Sequence, residues 1–222
     1  MAVVVIGGHS RNIGKTSVVA GLIRALPRMQ WTALKITQYG HGFCTADGAA
    51  CDCQTDDHTL AVSAEKPASD GGDPTTDSGR YLVAGAARSL WVRTRIGMLA
   101  DAMPRIRKEL AASHHVILES NSILKFLQPD LYLSVLDPAT ADFKDSARLF
   151  LDRADALISI ERDLAPQWQN LSPRLLVGKP RFAVSPPTYL SNELVAFVES
   201  RIEALDALEP LRTGKNNEPY AE

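Results

Sequence analysis

The sequence predicts an α/β sandwich: a mostly parallel central sheet flanked by helices. Three observations carry this expectation. Short β-branched or leucine-rich runs recur along the chain, and the first, residues 2–6, is apolar throughout, the pattern of a strand buried on both faces. They alternate with segments whose apolar residues fall three and four apart, as on one face of a helix. The first run leads through a glycine-rich turn and a helix into a second run, which makes a βαβ unit of conventional right-handed crossover.

In chain order, residues 2–6 form the first strand, stopped by Gly7-Gly8. Residues 16–26 place Val18, Val19, Leu22, Ile23 and Leu26 on one helical face, and Pro27 closes the helix. Residues 31–36 are the second strand. Periodicity is lost over residues 37–76, a stretch rich in Gly, Asp, Thr and Pro, and such a loop inside a compact domain is functional or disordered. Asp77-Ser78 caps a helix carrying Tyr81, Leu82, Val83 and the alanines of 84–87. Residues 90–92 read as a short strand, and 97–113 as a helix interrupted or restarted at Pro104. Strands are expected at His115–Glu119, Leu131–Leu136, Ala156–Ile160 and 175–177, with a helix over 143–154 and a closing amphipathic helix over 193–208. The whole reads as a single domain over residues 1–208, with the acidic cysteine-containing insertion at 37–76 and a polar tail at 209–222.

Composition excludes several classes of function. The formal net charge of −2 argues against a strongly basic nucleic-acid binder. With 45% hydrophobic and 23% charged residues, the chain can bury a core and is no disordered tail. No apolar run approaches the roughly 18–20 residues of a membrane span. The apolar start is too short and lacks the basic flank of a signal peptide. The expectation is a cytoplasmic protein with neither nucleic acid nor membrane as partner.

The stretch Gly8-His9-Ser10-Arg11-Asn12-Ile13-Gly14-Lys15-Thr16-Ser17 lies where a phosphate loop must lie, between a buried strand and a helix start. Glycines let backbone N–H groups converge on phosphates, and the helix N-terminus adds about half a positive charge. Lys15 would reach the β- and γ-phosphates, and the Thr16 hydroxyl would ligate Mg²⁺. Gly8, Asn12, Ile13, Gly14, Lys15, Thr16 and Ser17 are therefore the candidate nucleotide-binding residues. Five residues, not the common four, separate Gly8 from Gly14.

That spacing, with a second strand ending in a lysine followed by a polar segment and Gly, resembles the start of dethiobiotin synthetases. A second resemblance covers roughly residues 2–120. Leu34-Lys35-Ile36, Tyr39-Gly40-His41-Gly42 and Asp77-Ser78 followed by Ala84-Gly85-Ala86 look like the B protein of molybdopterin-guanine dinucleotide biosynthesis. Both families belong to the SIMIBI class of P-loop NTPases. The resemblance implies a P-loop NTPase fold, Mg²⁺, ATP or GTP, and a homodimer with nucleotides near its interface. It implies work in cofactor or metal-centre biosynthesis beside a small molecule or a partner protein of that pathway. The alternative is an ATP-dependent kinase or ligase that activates a small carboxylate. The chain departs from both families where strand-end Glu119 is followed by Ser120-Asn121-Ser122 rather than Gly, and Lys35 by neither His nor Pro.

Glu119 ends a buried strand on the edge where α/β proteins bind ligands. By class resemblance it would hold Mg²⁺ through water or orient the attacking group; otherwise it is a solvated strand-end carboxylate. Asp47 or Asp52 could add a second acid. Lys35 ends a strand on the same edge and, by resemblance, contacts substrate or phosphate. Lys15, Lys35 and Glu119 are the catalytic candidates. In the insertion, His41, Cys44, Cys51, Cys53 and His58 supply up to five soft or borderline ligands. Cys44, Cys51, Cys53 and His58 could complete a tetrahedral Zn²⁺ site, or the three thiolates an iron–sulfur cluster with an outside ligand. A third reading is thus a nucleotide-switched metal-binding protein; the plain alternative is three reduced cysteines in an acidic loop. Arg11 reads as solvent-facing or as a γ-phosphate contact, Trp91 and Trp168 as core or interface, and His114-His115 as half-buried structure. No Asn-Lys-x-Asp announces guanine, so the base stays open.

Overall fold

The computed structural model describes residues 1–39, 60–169 and 171–213. Among the described residues eight strands form one sheet: β1 (Val3–Gly8), β2 (Trp31–Tyr39), β3 (Leu60–Ala64), β4 (Arg88–Arg95), β5 (His115–Glu119), β6 (Leu131–Leu136), β7 (Ala156–Ile160) and β8 (Arg181–Val184). Their order across the sheet is β3-β4-β2-β5-β1-β6-β7-β8. All neighbours run parallel except the edge pair β3–β4. The expected α/β architecture is therefore present.

The helices are α1 (Lys15–Ala25), α2 (Asp77–Val83), α3 (Leu99–Ala111), α4 (Asp145–Phe150) and α5 (Asn192–Thr213). Strand pleating divides the core into two layers. Val4 and Ile6 of β1, Ile117 of β5 and Leu133 of β6 pack in one layer with α1 and α5 residues such as Leu22, Ile23 and Val198. Val3, Val5, Leu118 and Tyr132 pack in the other with Leu99, Ile106 and Phe150. The β1, β5 and β6 strands are buried along their whole length, which is why their sequences carry no alternation.

Several expected elements differ. The stretch 37–76 is not structureless throughout: β2 continues to Tyr39, and Leu60–Ala64 forms β3, antiparallel to β4 from Leu60 opposite Thr94 to Ala64 opposite Leu90. A five-residue edge strand is too short to leave a readable period. Residues 175–177 are not a strand. Pro173–Leu175 is a 3-10 turn, and the eighth strand begins only after Gly178, at φ 76°, and Pro180. Leu175 and Leu176 instead pack against the α3 layer, so a leucine pair meant for the core mimicked a strand. Pro104 neither interrupts nor restarts α3. Both Pro104 and Ala100 are exposed, so the carbonyl deprived of its donor faces water. The cap of α2 is Thr76, whose Oγ1 accepts from Gly79 N–H at 3.0 Å, and the helix ends at Val83 before Gly85 at φ 100°. The 143–154 helix is shorter, Asp145–Phe150 followed by a 3-10 turn, and α5 runs beyond residue 208 to Thr213. Among the described residues no helix is long and apolar enough to cross a membrane.

Candidate active site

Ile6 of β1 and Lys35 of β2 both lie opposite Glu119, the last residue of β5. Lys35 does not end its strand as expected, because β2 pairs with β4 for four residues more, to Tyr39. Parallel strands present their carboxyl ends on one edge, and a cleft of about 890 Å³ opens there. Gly8, Asn12, Gly14, Lys15, Thr16, Ser17, Lys35 and Glu119 all line it. Ile13 does not: it is buried and serves as the apolar pin of the loop.

The loop bends through Asn12 at φ 54° and Gly14 at φ 88°. Gly14 is the residue before α1, and a Cβ there would lie 2.3 Å from the Tyr189 ring, so only glycine satisfies both the backbone and the contact. Lys15 Nζ donates to the Ser10 carbonyl at 2.6 Å, curling over the loop. Burial lowers its pKa, with Lys35 adding to that and the Glu119 carboxylate opposing it.

Behind the loop stands a brace that sequence reasoning missed. Gly8 N–H donates to Asn121 Oδ1 at 2.9 Å, and Asn121 Nδ2 returns a bond to the Gly8 carbonyl at 2.8 Å. Asn121 had registered only as a departure from the Glu-Gly pattern of the resembling families. A polar residue two past a strand-end carboxylate was the available signal. Neighbouring Gly7 has no room for a side chain, since a Cβ would lie 2.2 Å from Asn121 Oδ1.

Glu119 is the centre of the polar cluster. Its Oε2 accepts from Thr16 Oγ1 at 2.8 Å and from the buried Tyr81 hydroxyl. Its Oε1 accepts from Lys35 Nζ at 2.5 Å, and Lys35 also pairs with Asp77 at 2.9 Å. Burial alone would raise the Glu119 carboxyl, but the Lys35 and Lys15 ammonium groups hold it below its ordinary value. Burial alone would lower Lys35, and Glu119 with Asp77 outweigh it and raise its pKa. Burial, reinforced by the Glu119 charge, pushes the Tyr81 phenol well up. The three groups are thus carboxylate, ammonium and neutral phenol at neutral pH.

Tyr81 and Asp77 also went unread as site residues: they had served only as helix residues, and their approach to Glu119 depends on α2 packing over the sheet. Trp91 is not core. It lines the cleft, with Nε1 donating to Thr37 Oγ1 at 3.0 Å and Arg93 stacked 4.5 Å from its ring. Trp168 and His9 pack together behind the phosphate loop. Of the His114-His115 pair, His115 is buried, and its Nδ1 accepts from the Ala2 N–H. His41, Cys44, Cys51, Cys53 and His58, and with them Asp47 and Asp52, lie outside the described residues. Among the described residues no three His, Cys, Asp or Glu side chains gather as a metal cluster.

No protein-family model matches the chain, and no characterised protein compared with it is significantly similar in sequence. Among solved structures it is similar to HypB from Helicobacter pylori in complex with nickel: 15% identity, 90% of this chain and 87% of that one covered, TM-score 0.48. It is also similar to LpxK from Aquifex aeolicus in complex with ATP: 18% identity over 82% of this chain, TM-score 0.44. The match takes in 53% of the LpxK chain, about half its length. Likenesses at this level carry no function across.

Proposed function

We propose that the protein is a Mg²⁺-dependent nucleoside-triphosphate-binding and hydrolysing accessory protein in the biosynthesis of a cofactor or metal centre, of the molybdopterin-guanine dinucleotide type. The observation that carries this reading is the convergence of Lys15, Thr16, Lys35 and Glu119 on one cleft at the start of α1. Thr16 Oγ1 and the Glu119 carboxylate are hard oxygen donors within 2.8 Å of each other. Mg²⁺ is ordinarily held by one or two such protein oxygens together with substrate phosphates, so this donor pair fits the ion. When bound there, it would neutralise charge developing on the phosphates. Lys15 would leave the Ser10 carbonyl for the phosphate chain, and the loop N–H groups would hold that chain in line. Lys35 keeps Glu119 ionised, and Tyr81 with Thr16 fixes its orientation.

Lys35 also favours a second reading, an ATP-dependent kinase or ligase that activates a small carboxylate. It is a half-buried, charged ammonium at the cleft wall, held by Glu119 and Asp77, and could turn from Asp77 to an anionic acceptor. ADP release that requires an added carboxylate would favour this enzyme, and slow turnover without one the accessory role.

The test is a thermal-shift titration with ATP and GTP, with and without Mg²⁺. A ligand at about 100 times its Kd adds about 2.7 kcal/mol of stability. The expected result is a Mg²⁺-dependent rise with one base preferred, lost in Lys15→Ala. No rise with either nucleotide would overturn the reading.

A further inference from the structure

We propose that Lys144, together with Arg11, forms a second clamp on the terminal phosphate of the bound nucleotide, beside the clamp made by Lys15. This rests on the nucleotide-binding reading above and adds to the loop's own Arg11 a contact, Lys144, from outside the loop.

The segment from Asp137 to Lys144, which follows β6, is stitched to that loop at four points. Asp137 N–H donates to His9 Nε2 at 3.0 Å, so the ring proton is on Nδ1, which donates to the Asp142 carbonyl at 2.8 Å. Ser10 Oγ donates to Asp142 Oδ2 at 2.7 Å, and Lys144 N–H to the His9 carbonyl at 2.8 Å. Phe143 is buried with its ring centre 5.0 Å from that of His9. The backbone of Lys144 is therefore as fixed as the phosphate loop.

Its side chain lines the cleft together with Arg11 and Lys15, and its ammonium makes no hydrogen bond or ion pair with any described residue. Arg11, Lys15 and Lys144 are three cations in one half-buried corner. The acid whose charge bears on Lys144, Asp142, already accepts from Ser10, and Glu119, which bears on Lys15, is paired with Lys35. Like charges brought together out of bulk water repel, and an anion bound between them removes that cost. Loop N–H groups and the start of α1 face the inner phosphates. Charge added beside Lys15 from an outside segment falls at the terminal end, where Lys15 itself reaches. Burial, then Lys15 and Arg11, with Lys35 adding and Asp142 opposing, push the Lys144 pKa down to about 8. A phosphate at this corner would raise it again, so triphosphate binding near pH 8 takes up protons.

Titration calorimetry of ATP against ADP, and of GTP against GDP, tests the clamp at pH 8 in two buffers of different ionisation enthalpy. In Lys144→Gln the triphosphate weakens about tenfold or more while the diphosphate holds, and the proton uptake of the wild type falls. Lys144→Arg keeps the triphosphate affinity and loses the uptake. Equal weakening of both nucleotides, no weakening of the triphosphate, or unchanged uptake in Lys144→Gln would each overturn the clamp. If the wild type binds neither nucleotide, the nucleotide reading itself fails. If the wild type binds, Lys15→Ala does not, and Lys144→Gln behaves as wild type, only the clamp fails.

Discussion

Two polar clusters sit toward the carboxyl ends of neighbouring strands, one opening into the cleft and one behind the glycine-rich loop, away from it. In the first, Thr16, Lys35, Tyr81, Asp77 and Glu119 share bonds around a single carboxylate. In the second, His9, Asp137, Arg162 and Trp168 are paired almost entirely with one another. Arg162 binds Asp137 through Nε at 3.2 Å and Nη2 at 2.9 Å, Trp168 Nε1 donates to the Asp137 carbonyl at 2.9 Å, and both ring nitrogens of His9 are engaged. Both clusters hold a carboxylate below its ordinary pKa with a cation. They differ in what their groups can do next. The cleft cluster faces a cavity large enough for a ligand and can exchange partners. The rear cluster lines no part of that cleft and ties the loop to the end of β6. The same ion-pair chemistry thus faces a cavity in one place and braces a loop in the other.

The largest expected effect that separates them is at Glu119. Glu119→Ala leaves Lys35 without its closest counterion and takes an acceptor from Thr16 and Tyr81. It should lose about 3 kcal/mol of stability in urea unfolding, and nucleotide binding should lose its Mg²⁺ dependence. A loss below about 1 kcal/mol would mean that Asp77 alone satisfies Lys35.

Next is His9. It is fully buried, and burial lowers its pKa, with Lys15 adding to the effect against the hydrogen bond that the ring donates to the Asp142 carbonyl. The unfolded chain takes its proton near pH 6.5, and the folded chain only at lower pH. Stability is thus fully present above pH 6.5 and declines as pH falls through the range between the two values. His9→Gln should flatten that decline in urea midpoints measured from pH 8 to 5, and it should lose about 1–2 kcal/mol at pH 8 from its two buried bonds. A decline as steep as the wild type's would place the titrating group elsewhere.

The smallest effect is at Arg162, half-exposed against Asp137. Arg162→Met should lose about 1 kcal/mol or less and leave nucleotide affinity untouched. A change in affinity would make the rear cluster part of the site.

The site was legible wherever chemistry depends on neighbours along the chain. The run from Gly8 to Ser17 needs only a strand before it and a helix after it, so its place followed from order alone. Glu119 was legible as a strand end on the ligand-binding edge of a parallel sheet, and Lys35 as its neighbour on that edge, although β2 runs on past it to Tyr39. Asn121, Asp77 and Lys144, which line the cleft, and Tyr81, which reaches Glu119 from the core, were not: each comes from an element whose packing is set by contacts far along the chain. The antiparallel β3 was missed because its pairing energy comes from β4, and the 175–177 strand was wrongly expected because apolar side chains entering a core do not specify their backbone.

By itself the sequence determined the α/β class, the βαβ start and the glycine-rich turn between β1 and α1, because hydrophobic period and glycine placement are local physics. Only the tertiary structure decided which charges meet Glu119, that Asn121 braces Gly8, and that a lysine from the β6 loop stands beside Lys15. Those contacts join residues about 40 to 130 positions apart, and the energy that selects them is burial of the whole sheet between its two layers, which no short stretch of sequence contains.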